Sequence, residues 1–257
     1  MKQIKTYIDE RLQLGKKLSN SNYVEHKYFP ETKHDLHEII FSLIKQHTNK
    51  NEVLDLNCID TSKIIDMSYL FYSDDLIEQD LLKKIKKLDI SSWDVSNVKS
   101  MFLMFYKFNS LKDIGNLSLW DVSKVENMQG MFNRCTSLKH IDISSWNTHS
   151  LKTSGSMFYK CSSLVTTGKL DNLDMSNNRT FDNMFDGCVK LSDIGDISNW
   201  NVKNVKNMTN MFLFCDSLYD VGDLEKWKQQ LNPYLQCVNM VYHSGLKEVS
   251  WNTRQTT

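Results

Sequence analysis

The sequence predicts an α/β solenoid: about six strand-turn-helix repeats stacked in one direction, with an N-terminal helical cap. Three observations lead there. A phrase of the form W-D-V-S-N-V-x-x-M-x-x-M-F-x-x-C-x-S-L-x-x-I returns along the chain, and a period within about 20 to 50 residues marks a solenoid, a propeller or an array. The phase is regular. The Trp position falls at Ile59, Trp93, Trp120, Trp146, Leu173, Trp200 and Trp227, giving intervals of 34, 27, 26, 27, 27 and 27. Finally, Pro30 and Pro233 both lie outside 59–227, as continuous backbone pairing between neighbouring coils requires.

The elements follow in order. Ile4, Ile8 and Leu12 have helical spacing and end at the polar run Ser19-Asn20-Ser21-Asn22. Residues 1–22 are therefore expected to be a tether or an oligomerisation segment, with those three side chains making the attachment. In 23–58, Thr32 and Asp35 form a capping pattern ahead of the apolar face Leu36, Ile39, Ile40, Leu43 and Ile44. The open end of a stack needs covering, and a helix over 32–46 is the expected cap. The repeats occupy 59–227. The first interval exceeds the usual one by seven residues (34 against 27), around 74–82, as expected of an insertion tolerated on one face of a stack. Past Trp227 the motif decays through Leu231-Asn232-Pro233, and Leu246 and Val249 are expected in a closing strand of a C-terminal cap, 228–257.

Within a unit two periodicities alternate. Val205, Met208, Met211, Phe212 and Cys215 recur every three or four positions, as on one helix face, and Ser96 and Ser123 stand where such segments would be capped. Leu138-x-x-Ile141-x-Ile143 alternates like a short strand. One unit cannot bury its apolar face alone, so neighbours must stack. Met104, Met131, Met157, Met184 and Met211 each lie 11 residues after their marker, and Cys135, Cys161, Cys188 and Cys215 lie 4 further on, with Phe108 in that place once. Leu173 replaces Trp, and Phe181 replaces the first Met. Such swaps keep bulk and apolarity, so the ladder is read as core. Phe108 in the cysteine register argues for small packed thiols over a metal or redox ladder.

Charge excludes some partners. Lys plus Arg and Asp plus Glu number 31 each. No basic excess points to nucleic acid or to an anionic membrane surface, and no run is long enough for a membrane-spanning helix. The opening residues carry no apolar signal-peptide core, so the expected location is a phage virion or a bacterial surface reached by assembly, with the cytoplasm as the alternative.

No motif assembles a catalytic constellation, so no enzyme and no cofactor are expected. His34 and His37 form an H-x-x-H pair without a second ligand cluster. Asp94, Asp121, Asp142 and Asp174 recur by register and are read as corner residues in preference to calcium ligands.

The phrase W-[DN]-[VT]-S-x-V-x-x-M-x-x-M-F-x-x-C-x-x-L, over about 59–227, resembles the BspA-like leucine-rich-repeat surface proteins, a repeat family once described as a Mycoplasma lipoprotein domain. The segment around Tyr28-Phe29-Pro30-Glu31-Thr32-Lys33 is similar to members from gut bacteria and their phages. The resemblance implies a solenoid like that of leucine-rich repeats, surface display and adhesion, without catalysis. The export signals or wall anchors of many members have no counterpart in these residues.

What varies lies between the fixed apolar positions of L-x-x-I: Lys112 and Asp113, Lys139 and His140, Val165 and Thr166, Ser192 and Asp193, Tyr219 and Asp220. These pairs are the expected partner-binding face. The expected partners are a protein or glycan on a surface, an attachment partner for residues 1–22, and further copies of the chain. The alternative reading is an intracellular protein–protein scaffold.

Overall fold

The structure, a computed structural model, describes residues 25–47, 49 and 52–252. Ile4, Ile8 and Leu12 fall outside them. The chain winds as a stack of coils in parallel register. Asp66, Ser100, Asn127 and Thr153 bridge one another in succession, as do Asn207 and its neighbours Thr180 and Gln236. A second row begins with strands β1 (Leu54–Asp55) and β2 (Leu88–Asp89), paired in parallel, and reappears as His140, Thr166 and Asp193. Parallel neighbours need a long crossover, and here the crossover is the rest of the coil.

The M-x-x-M-F-x-x-C run is not helical, contrary to its spacing. Met101, Leu103, Phe105 and Lys107 donate their N–H groups to Asn127, Gln129, Met131 and Asn133 of the next coil, at 2.8 to 3.0 Å. Met104, Tyr106 and Phe108, each next along the chain, donate three residues back within their own coil. A helix would send each N–H four residues back along its own chain and leave none for a neighbour. The segment is instead a string of turns, with Leu103 and Lys107 at φ 52° and 58°, the sign that a type II turn requires at its third residue. Successive three-residue turns bring every third or fourth side chain inward, which is the periodicity that mimics a helix. Ser96 and Ser123 are not helix caps either. Their N–H groups bind the Oδ1 atoms of Asp94 and Asp121, at 2.9 and 3.0 Å.

True helix occurs beside the coils. α1 (Lys33–Gln46) starts at Thr32, whose hydroxyl accepts from the Asp35 N–H while the Asp35 carboxylate accepts from the Thr32 N–H. It buries Leu36, Ile40, Phe41 and Ile44, and Lys33 reaches Asp66 of the first coil at 3.0 Å. The insertion near 74–82 is also ordered. It forms α2 (Leu76–Leu82), capped by Asp75, with Leu82 buried and Leu76 and Ile77 exposed.

The interior is a set of side-chain columns. Phe71, Phe105, Phe132, Phe158, Phe185 and Phe212 stack ring over ring, with centroids 5.0 to 5.6 Å apart. Trp93, Trp120, Trp146, Trp200 and Trp227 each aim the indole N–H at a carbonyl of the coil before, at 2.9 to 3.2 Å. A buried indole usually finds such a partner. The column departs from its pattern around Leu173. There Phe181, in the place of the usual methionine, packs at 5.5 Å against Trp200 of the next coil. Buried Asn178 donates to the Ser154 hydroxyl at 3.0 Å, so the two polar intruders satisfy each other.

The ladder runs on past Trp227. A 3-10 helix spans Leu224–Gln230, after which Met208, Asn210 and Phe212 donate to Gln236, Val238 and Met240. Trp251 then packs on Trp227 at 6.4 Å, and Asn252 Oδ1 accepts the Met240 N–H at 3.1 Å. Two corners demand glycine. Gly195 and Gly222 have φ of 80° and 83°, and a Cβ at either would fall onto the carboxylate of Asp171 or Asp196 in the preceding coil.

Met184 is 1 % exposed, whereas Lys139 lies on the surface. Met184→Asp should cost several kcal/mol through a buried unpaired charge. Lys139→Ala should stay within about 0.5 kcal/mol of the parent. Thermal melts showing the two variants equally stable would refute the inward assignment of Met184.

Candidate recognition face

The residues after each conserved leucine form two adjacent rows along the stack. Lys112 donates its backbone N–H to Lys86 O at 2.8 Å, Val165 to Lys139 O at 2.8 Å and Ser192 to Val165 O at 3.0 Å. In the neighbouring row, Lys87 bridges Asp113, and His140, Thr166 and Asp193 bridge in succession. Lys112, Asp113, Lys139, His140, Ser192, Asp193, Tyr219 and Asp220 are all exposed. Tyr219 and Asp220 stand somewhat apart. They line a cleft of about 560 Å³ with Leu246, Lys247, Glu248 and Val249.

The members of each pair differ in freedom. Asp113, Asp193 and Asp220 turn Oδ1 toward the N–H groups of Gly115, Gly195 and Gly222, at 2.9 to 3.0 Å. These carboxylates hold corners, and Asp193 is drawn further into an ion pair with Lys169 at 2.7 Å. The first members, Lys112, Lys139, Val165, Ser192 and Tyr219, carry no such corner bond; Ser192 alone directs its hydroxyl back to the Val165 carbonyl.

The repeated aspartates are also spoken for. Asp121, Asp142 and Asp174 accept from the Ser123, Ser144 and Ser176 N–H groups two residues on. Hydrogen bonds from those serines hold all three below the usual carboxylate range.

The cysteines point inward. Cys135, Cys161, Cys188 and Cys215 direct Sγ at the carbonyls of Phe105, Phe132, Phe158 and Phe185, at 3.0 to 3.1 Å. Burial pushes the Cys161 thiol up to about 12 and raises the other three as well. A reactive or metal-binding cysteine needs the thiolate, and this environment opposes it. On α1, His37 packs its ring against Phe41 at 4.4 Å while His34 faces solvent. Among the described residues no three of His, Cys, Asp and Glu converge as a metal site.

One row escaped the sequence reading. Lys107, Arg134 and Lys160 occupy one left-handed turn position on successive coils, with φ of 58°, 63° and 56°. Their N–H groups donate to Asn133, Tyr159 and Asp186. Lys107 lies 4.9 Å over the Tyr106 ring, and Arg134 and Lys160 lie 5.7 and 5.1 Å over that of Tyr159. Counting 14 residues from each Trp would have found the row.

These rows and columns define a repeat solenoid with a uniform interior and a varied surface. The chain belongs to the family described as "Mycoplasma protein of unknown function, DUF285", whose model matches residues 40–164, 80–193 and 165–244. Two solved structures are similar. One is a leucine-rich repeat protein from Eubacterium ventriosum, at 17% identity and TM-score 0.39, over 66% of this chain and 38% of that one. The other is the leucine-rich repeat protein TpLRR of T. pallidum, at 17% identity and TM-score 0.37, over 74% and 88%. The chain thus spans well under half the length of the first. No curated protein matches.

Asp186 lies one residue before the glycine that continues the cation row. Burial raises its carboxyl from 3.8 to about 6, against a partial lowering by Lys160. A carboxyl raised on folding contributes its stability below the unfolded value and loses it as pH rises through the folded one. Asp186→Asn should therefore melt higher than the parent at pH 7, with the advantage vanishing below about pH 4. Melting curves across that range check the sign; an Asn variant that is less stable at neutral pH would contradict it.

Proposed function

We propose that the chain is a non-catalytic repeat solenoid for attachment, display or recognition at a bacterial or phage surface. In its finer form it is a BspA-like surface protein, adhesin-like or a structural or decoration component of a virion. The observation that carries the reading is the separation of roles along each coil. Phe, Trp, Met and Cys columns hold the interior, corner aspartates hold the bends, and the first member of each surface pair is a lysine at Lys86, Lys112 and Lys139 but Val165, Ser192 and Tyr219 in later coils, without touching either. A scaffold of this kind alters its face at little cost to its fold. Aspartates and cysteines that would interest a catalytic reading are engaged in corner and carbonyl hydrogen bonds.

In this proposal residues 23–58, with α1, close the first coil, the solenoid of 59–227 bears the face, and 228–257 close the last. Residues 1–22 hold the protein to its assembly through Ile4, Ile8 and Leu12. The helical spacing of these three apolar residues would give a single stripe with no core of its own, and a partner surface is its economical cover.

Deleting residues 1–22 should leave the melting temperature of the solenoid nearly unchanged and abolish its incorporation into the particle or surface. Mass spectrometry of purified particles and cell fractions reads the result. Normal incorporation of the truncated chain would remove the tether. Finding the intact chain only in the soluble cell fraction would favour an intracellular scaffold.

A further inference from the structure

The net charge of zero conceals a segregation of charge on one side of the stack. Lys107, Arg134 and Lys160 form one margin of a strip, and Lys86, Lys112 and Lys139 form the other. All six are exposed, and among the described residues none makes an ion-pair contact, Lys160 acting on the buried Asp186 carboxyl without one. Coils here repeat at the spacing of their phenylalanines, 5.1 and 5.4 Å, so each margin sets cations at short, regular intervals along the axis. Between the margins lies a floor of uncharged polar residues that includes Asn109, Ser110, Thr136, Ser137, Ser162 and Ser163. Two carboxylates border the strip: Asp113, held at its corner by Gly115, and the buried Asp186 at the far end of the first margin, which Lys160 partly offsets. Asp89 and Asp142, just beyond the lysine margin, bind the N–H groups of Ser91 and Ser144. At one end, α2 walls a pocket of about 150 Å³ against Tyr72, Tyr106, Lys107 and Ser110.

We infer that this strip binds a linear acidic polysaccharide laid along the solenoid axis. The inference rests on the reading of the chain as a recognition solenoid and names a ligand class for it. Two parallel rows of exposed cations at fixed intervals fit a polymer with regularly spaced carboxylate or sulfate groups. The hydroxyl and amide floor fits the sugar hydroxyls between them. Such a polymer relieves the mutual repulsion of the cations and releases its own counterions. Single-stranded nucleic acid fits less well. It needs bare aromatic faces for its bases, and the rings of Tyr106 and Tyr159 are covered by the protein's own cations. Duplex DNA needs a helix or ribbon that enters a groove, and the strip presents neither.

The test titrates the full chain with heparin fragments at about 50 and 200 mM salt, with neutral dextran and a single-stranded oligonucleotide of matched charge in parallel. Heparin should bind, and binding should weaken steeply with salt; dextran should not bind, and the oligonucleotide should bind more weakly than heparin. The double variant R134A/K139A should lower heparin affinity about tenfold and flatten the salt dependence. The matched control R179A/K206A, which removes two exposed cations from another row, should change it less than about twofold. Unchanged melting temperatures would exclude misfolding as the cause. No heparin binding, equal binding of the oligonucleotide, or an equal loss in the control would each overturn the inference. Failure here leaves the recognition reading standing on the truncation and fractionation results, which do not depend on this strip.

Discussion

Each coil has backbone N–H groups that only the next coil can satisfy. In the Met-Phe run, alternate N–H groups point along the stack and the rest close turns within the coil. A coil removed from its neighbours would leave that row of donors without acceptors, and buried backbone donors are seldom left so. Most of the architecture follows from this. The turns must repeat with the same hand and length, so residues such as Lys107, Arg134, Lys160 and Asn210 adopt positive φ where glycine would be more comfortable. Extra residues must leave the stack entirely, as the insertion does in forming α2. Proline, which has no N–H to give, is excluded from the paired region.

With the backbone in register, like side chains fall above like, and each column must solve its own packing. The phenylalanines do so by stacking, the tryptophans by stacking and by donating to the coil behind, and the cysteines by aiming a small polarizable group at a carbonyl. The coil marked by Leu173 shows how coupled the columns are. Loss of an indole there is accompanied by gain of a phenyl at Phe181, eight residues on, where a methionine usually stands. Ser154, a small residue in that methionine column, meets Asn178, a polar residue in the valine column. Single substitutions of either kind would leave a void or an unpaired amide. Together they keep volume and hydrogen bonding close to those of the neighbouring coils.

The register, the inward columns, the Thr32 capping box and the corner aspartates were legible in the sequence because each is a repeated or local pattern. Turn and helix were not told apart. Val205, Met208, Met211 and Phe212 recur with the same spacing in a string of turns as on a helix face, and periodicity alone cannot say where the N–H groups go. The insertion was legible only as extra length on one face of the stack, because it was judged by position, although Asp75 ahead of Leu76 is an ordinary N-cap. Trp251 went unrecognised because it follows Trp227 by 24 residues, shorter than the other intervals. The cation rows were hidden for another reason. Net charge is a sum over the chain, whereas Lys107, Arg134 and Lys160 are neighbours only once the coils are stacked.

The same stacking decides which surface residues are free to change. Asp113, Asp193 and Asp220 look variable beside His140 and Thr166, yet their carboxylates close the corner in which the following glycine takes positive φ. His140 is followed by Ile141 and Asp142, without that glycine, so its coil turns without the aspartate. Thr166 precedes Gly168 and serves the same corner with its hydroxyl, which accepts the Gly168 N–H at 3.1 Å. Substitution in this row is thus bounded by the bend each coil makes. In the adjacent row Lys112, Lys139, Val165, Ser192 and Tyr219 answer to no corner. A charge, a branched aliphatic, a hydroxyl and an aromatic have all been accommodated on one backbone. In this row chemical variety is therefore open to one side chain per coil, because the corner bond falls on its neighbour.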